Sequence, residues 1–195
     1  MSSTDDEESL AGVPLIEGTV AGIAAFVVGY VLTYVLAVVD SEFGGHESDS
    51  AFELLGIVFY NAHFVEGEFT ASAGGFVEGT ERFNLIAEES TQLPEPVFYL
   101  VPIVLLVAAG YLVGNRALEA SAEPTDGVVA GGSVVLGYLP LALIGTVLFE
   151  ASDEVSIGDV SFSATFAPDP LMSVVFVGLV YPLVFGAIGG ALASR

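Results

Sequence analysis

Charged and apolar residues fall into long separate blocks along this chain. Four stretches carry no charge: Gly18 to Val39, Pro96 to Asn115, Gly127 to Phe149 and Pro170 to Ser194. Each holds about 20 residues or more, and a helix needs roughly that many to cross a hydrocarbon core about 30 Å thick. A soluble domain can hide one such helix, but four in so short a chain are too many. The blocks predict transmembrane helices over about 15–39, 96–114, 127–149 and 170–193. Pro124 and Asp126 sit where a helix start favours them. Residues 1–14 read as a disordered acidic tail ahead of a single membrane domain over 15–195.

Between the blocks lie two hydrophilic segments, about 40–95 and 150–169. "DVSFSATFAP" alternates, with Val160, Phe162, Ala164 and Phe166 on one face and Ser161, Ser163 and Thr165 on the other. That is a strand pattern, and "SIGD" before it reads as a turn. "GEFTASAGGFVEGTERFNLIAEES" has strand-like pieces around Gly74, Gly75 and Gly79. Strands from the two segments could pair; the alternative is two loops without a sheet. The predicted fold class is all-α membrane: a four-helix transmembrane bundle, a short interfacial or re-entrant helix, and a small extracytoplasmic β-containing cap.

The short helix is "GIVFYNAHFV", Gly56 to Val65, an apolar run with Asn61 and His63 inside it. Leu54 to Val65 would rise only about 18 Å as a helix, too little to span. As a helix it has apolar residues all round, so it is buried on most sides. Asn61 and His63 would then point to opposite sides and bond different neighbours. As a strand they would face the same way and could grip one ligand. The density of the run, without alternation, favours the helix, with both side chains as anchors. A metal site from His63 and Glu66, helped by His46 and Glu68, lacks a tight ligand pattern. No GxSxG or HExxH motif is present, and no nucleophile stands with a base and an orienting acid. The expectation is a non-catalytic protein without a cofactor.

Composition changes the picture in two ways. There are 25 acidic residues against three arginines, with no lysine, and the formal net charge is −22. Such repulsion destabilises a compact state in dilute buffer. In molar salt the Debye length falls to about 3 Å and the charges are screened. The bias points to a salt-loving host. It also excludes a cationic groove for nucleic acid, because only Arg82, Arg116 and Arg195 are available. With no cysteine there are no disulfides or thiolate sites.

Small residues recur at spacing four: Gly18 and Gly22, Gly110 and Gly114, Gly186 and Gly190, and the related pair Ser133 and Gly137. Such pairs let helix backbones approach closely. They argue for a tight bundle, with a homo-oligomeric face as a further use. Three helices place a proline beside or near a tyrosine: Pro102, Pro140 and Pro182. Internal prolines kink helices, and broken helices near the midplane are a feature of transporters. Against ion coupling, the four blocks hold no acidic, basic or histidine side chain. Four spans put Arg116 and Arg195 on one side with the N-terminus, which the positive-inside rule makes cytoplasmic.

The acidic lysine-free leader, the four helices, "GIVFYNAHFV" after the first helix and "VSFSATFAPD" before the last have a family likeness. The chain resembles a haloarchaeal family of small integral membrane proteins of unknown function, whose members are sometimes labelled transporters. The resemblance implies a haloarchaeal cell membrane and carries over no catalytic or binding residue. The expected role is partner or subunit of a membrane assembly, with another membrane protein or a second copy as partner in the lipid bilayer. The alternative is a transporter or channel component with a path near the three prolines.

Overall fold

The computed structural model describes residues 13–40, 51–88, 92–117 and 123–194. In chain order the elements are α1 (Leu15–Val39), α2 (Ala51–Asn61), β1 (Gly67–Ala73), β2 (Phe76–Phe83), α3 (Leu85–Glu88) and α4 (Pro96–Ala117). There follow α5 (Pro124–Gly132), α6 (Val135–Leu148), β3 (Ala151–Ile157), β4 (Val160–Pro168) and α7 (Pro170–Met172). A π-helical run (Ser173–Val180) and α8 (Tyr181–Ala193) close the chain. Among the described residues, four helical stretches are long and apolar enough to cross a membrane: Leu15–Val39, Pro96–Ala117, Pro124–Leu148 and Pro170–Ala193. They coincide with the charge-free blocks. The acidic tail predicted for 1–14 lies almost wholly outside the described residues, as do His46 and Arg195.

Two helices are less regular than their sequences predict. The third stretch breaks at Ser133–Val134, between α5 and α6. The fourth runs through the π segment, and Pro182 is the second residue of α8 instead of a kink inside a longer helix. A proline in a first helical turn needs no backbone donor, and the widened turns before it accommodate the ring. Pro102 and Pro140 do lie inside helices.

The chain forms two compact units. The first comprises Met1–Val28, Pro102–Leu141 and Gly178–Arg195. Here glycines set the packing. A side chain at Gly18 would collide with Ser133, and one at Gly22 with the Val134 carbonyl; Gly137 in turn lies against the Thr19 carbonyl. Gly110 sits on Gly186, and Gly114 faces Gly190 and Ala193. Gly190 meets the Gly127 carbonyl, and Gly186 meets Gly131. The GxxxG pairs are thus used in close approaches to the chain's own helices. Phe26 and Tyr138 close edge to face at 5.1 Å.

The second unit comprises Gly29–Val101 and Ala142–Val177. It contains α2 and an antiparallel four-stranded sheet in the order β2-β1-β4-β3. Strands from both hydrophilic segments pair, β1 against β4. Each hairpin closes on two residues. Gly74 and Gly75 both have positive φ, whereas at Gly158–Asp159 only the glycine does. Residues paired across strands share a face, so Phe83, Phe69 and Phe166 lie together on one side. Phe69 and Phe166 are 4.6 Å apart. The other side carries hydroxyl pairs, Ser72 with Ser163 at 2.7 Å and Thr70 with Thr80 at 3.3 Å. The sequence alternation of β4 does not become alternating burial: its first residues are exposed on both faces. The reason is that α2 covers only the near end of the sheet, where Ile57 and Phe83 crowd Gly67.

The glycine contacts make a testable contrast. Gly131→Ala places a methyl group against the Gly186 carbonyl and should destabilise by about 1–3 kcal/mol. Gly132 has open space around it, so Gly132→Ala should be neutral or stabilising by up to about 1 kcal/mol. Thermal midpoints of the detergent-solubilised variants decide; equal loss in both would contradict this packing.

Candidate functional site

Asn61 and His63 stand at the end of α2, where every residue from Leu55 to Asn61 is buried. A buried helix end must find donors for its last carbonyls. The turn does this with a paired closure. The Val65 N–H donates back to the Tyr60 carbonyl at 3.2 Å, and the Phe64 N–H to the Asn61 carbonyl at 2.8 Å. This is the Schellman arrangement, which needs a left-handed residue at its penultimate position. Glycine usually fills it. Here Phe64 does, at φ 60°, the one non-glycine positive φ among the described residues. A left-handed conformation costs a residue with a Cβ about 1–2 kcal/mol. The Phe64 ring stacks on Tyr99, 4.4 Å between centroids and 4° from parallel, which offsets that cost.

The two polar side chains complete the turn. The His63 N–H turns to the Tyr60 carbonyl at 2.9 Å and so cannot serve Phe59. The His63 ring serves it instead: Nδ1 lies 2.8 Å from the Phe59 carbonyl. That carbonyl only accepts, so Nδ1 carries the proton. Asn61 Nδ2 donates to the Val65 carbonyl at 2.8 Å, and Asn61 Oδ1 accepts from the Leu85 N–H at 3.0 Å. One amide thus ties the end of α2 to the start of α3, across the β1–β2 hairpin. Burial pushes the His63 imidazole down to about 4, with the Phe59 carbonyl opposing the shift. It is neutral at physiological pH.

Small residues seat α2 against α6. A side chain at Gly56 would collide with the Phe149 ring, and one at Gly145 with the Tyr60 hydroxyl. Tyr60 reaches into that notch and donates to the Ala142 carbonyl at 2.5 Å, which Thr146 also bonds. Burial raises the Tyr60 phenol. Around this contact Tyr30 stacks on Phe149 at 5.3 Å and meets Phe59 edge to face at 6.2 Å. Asp40, fully buried, accepts from the Leu93 N–H. Asp169 caps α7 through Met172 and pairs with Arg82 at 3.3 Å; Arg82 also holds Glu68 at 3.2 Å.

Among the candidate residues, the structure places Asn61 and His63 in one buried turn. Gly18, Gly22, Gly110, Gly114, Gly186 and Gly190 lie in the helix contacts of the first unit, with Pro102, Pro140 and Pro182 in the helices. Among the described residues no three His, Asp or Glu side chains converge as a metal site would require. A histidine with no accessible surface meets no soluble substrate unless the turn opens. Sequence reasoning missed Phe64, Tyr60, Gly56, Gly145, Asp40 and Arg82. Only the glycines had a local signal, since a small residue inside an apolar helix marks a close approach.

With this geometry in hand, comparison places the chain. It belongs to a family of unknown function, DUF7978, whose pattern matches residues 1–195. No curated protein and no solved structure matches it.

The turn yields two tests. Asn61→Ala removes both ties and should cost on the order of 1–3 kcal/mol, with faster hydrogen exchange at the Leu85 amide; unchanged exchange would contradict the role given to Asn61. For His63, the unfolded chain takes up a proton near 6.5 and the folded chain only near 4. Stability from a neutral His63 is therefore complete above about 6.5 and is lost as the pH falls toward 4. The stability gap between the native protein and His63→Gln should shrink across that window. A gap that does not change with pH would contradict the assignment.

Proposed function

We propose that the protein is a non-catalytic, multi-pass protein of the cell membrane of a salt-loving archaeon and serves as partner or subunit of a membrane assembly. Both termini face the cytoplasm in this reading, and the sheet lies on the outer side. One observation carries it. The sheet keeps apolar side chains exposed on one face at its far end, Phe76, Val155 and Ile157 among them. Exposed apolar patches on a small sheet mark interaction surfaces. The absence of charge inside the four blocks supports a role other than proton or ion coupling.

A second reading, a transporter or channel component, draws on the break at Ser133–Val134, the π run and the prolines Pro102 and Pro140. π turns and broken membrane helices recur at functional sites.

Native mass measurement of the gently solubilised protein in molar KCl separates the two. The assembly reading predicts a mixed complex of defined composition. A lone chain or a pure homo-oligomer, with solute flux in proteoliposomes, would replace it with the transport reading.

A further inference from the structure

The two outer strands of the sheet are not alike. At the β2 edge the register slips between Ala71 and Ser72, so that Gly79 and Val77 flank an extra residue. This bulge, with Arg82 pinned to Glu68 and Asp169, is the usual protection of an edge. β3, at the other edge, pairs with β4 in unbroken register from Ala151 to Ile157. The two-residue turn makes Ile157 and Val160 a hydrogen-bonded pair. By alternation Ser152, Glu154 and Ser156 then turn their N–H and C=O groups outward, with no further strand among the described residues to meet them.

Beside that bare edge lies the apolar patch. Val155 pairs with Phe162, Ile157 with Val160, and Ala73 with both Phe162 and Phe76, so all share one face. They are exposed by 79% at Phe76, 69% at Ile157, 61% at Val155, 43% at Phe162 and 42% at Val160. Together that is on the order of 600 Å² of surface, at the upper end for a patch on a monomer. The same hairpin carries Asp153, Glu154 and Asp159 and no cation.

We infer that β3 is a docking edge that takes an extended segment of another protein as a fifth strand, the segment alternating apolar residues with lysine or arginine. The outward backbone groups of Ser152, Glu154 and Ser156 supply the ladder bonds, and Val155 and Ile157 receive the apolar side chains. The acids commit the partner to a cationic sequence. A second copy paired antiparallel about Asp153 or about Glu154 would set that acid opposite its own counterpart, where like charges destabilise a sheet. Lipid is disfavoured because the patch is at the turn end of the hairpins. The strand ends that join the helices are at the opposite end, about 20 Å away at roughly 3.3 Å per residue. This inference deepens the assembly reading and rests on it.

The test uses the full chain in nanodiscs of uncharged lipid. The probe is a fluorescent decapeptide alternating valine and lysine, and the control is a peptide of equal composition in shuffled order. The alternating peptide should bind saturably and the shuffled one about tenfold or more weaker. Glu154→Pro removes an outward donor without touching the β3–β4 ladder and should weaken binding by a similar factor. Should that variant misfold, the double change Val155→Ser with Ile157→Ser is expected to do the same. Equal binding of the two peptides, equal binding to the variants, binding to empty nanodiscs, or no binding would overturn the inference. Dimerisation through β3, detected as loss of a dimer in Glu154→Pro, would also overturn it in favour of a second copy. If the native mixed complex survives Glu154→Pro intact, the docking edge fails while the assembly reading stands.

Discussion

A helix that stops inside a protein leaves its last carbonyls without donors, and the second unit is arranged around meeting that requirement at the end of α2. Tyr60, Asn61 and Phe59 each have their carbonyl bonded within a few residues, by the Val65 N–H, the Phe64 N–H and the His63 ring. The solution needs a left-handed residue, and Phe64 takes that conformation because its ring has Tyr99 to stack upon. It also needs the amide of Asn61, which fastens Val65 and Leu85 on either side of the hairpin. β1 leaves the turn at Gly67 and β2 returns at Phe83, so the fastening fixes where the hairpin is rooted.

The first unit meets a different constraint. In the membrane bundle we propose, lipid would give apolar helices no hydrophobic reason to associate, so contact must come from close fit. Glycine supplies it by letting backbones touch, as between Gly110 and Gly186 or Gly127 and Gly190. The same device recurs once in the second unit, where Gly56 admits Phe149 and Gly145 admits Tyr60. In both places these glycines are occupied by the chain itself. The sheet, with β3 at its edge and Phe76, Val155 and Ile157 exposed on one face, is the surface that we propose for a partner.

How much of this could be read beforehand depends on whether the signal was local. The four long helices were legible because charge is absent from each for about 20 residues. β4 was legible because "VSFSATF" alternates, whereas its pairing with the earlier segment stood as one of two alternatives, a small sheet or two loops without one. The spacing-four glycines were visible, yet not their partners, since a GxxxG pair announces a close approach without saying to what. The break at Ser133–Val134 and the π turns before Pro182 were not visible, because an apolar run reads the same whether its helix is regular or widened. Phe64 was hidden for another reason: a left-handed conformation is expected of glycine, and only the stack on Tyr99 makes it tolerable for phenylalanine. The imidazole of His63 looked like a possible ligand because sequence cannot show that the Phe59 carbonyl already holds it.

The central claim is that α2, only about 16 Å long, is a buried, pinned helix and not a fifth span. In the proposed four-span arrangement, pairing of β1 with β4 puts both strands on one side of the membrane, so the direction of α1 depends on α2 alone. The native chain has no cysteine, so single cysteines can be placed at Val13 and at Ser156 and labelled with a membrane-impermeant maleimide from each side of sealed vesicles. Labelling of Val13→Cys and Ser156→Cys from opposite sides is the predicted result. Labelling of both from the same side would mean that α2 crosses the membrane, and the account of the turn at Asn61 and His63 would be wrong.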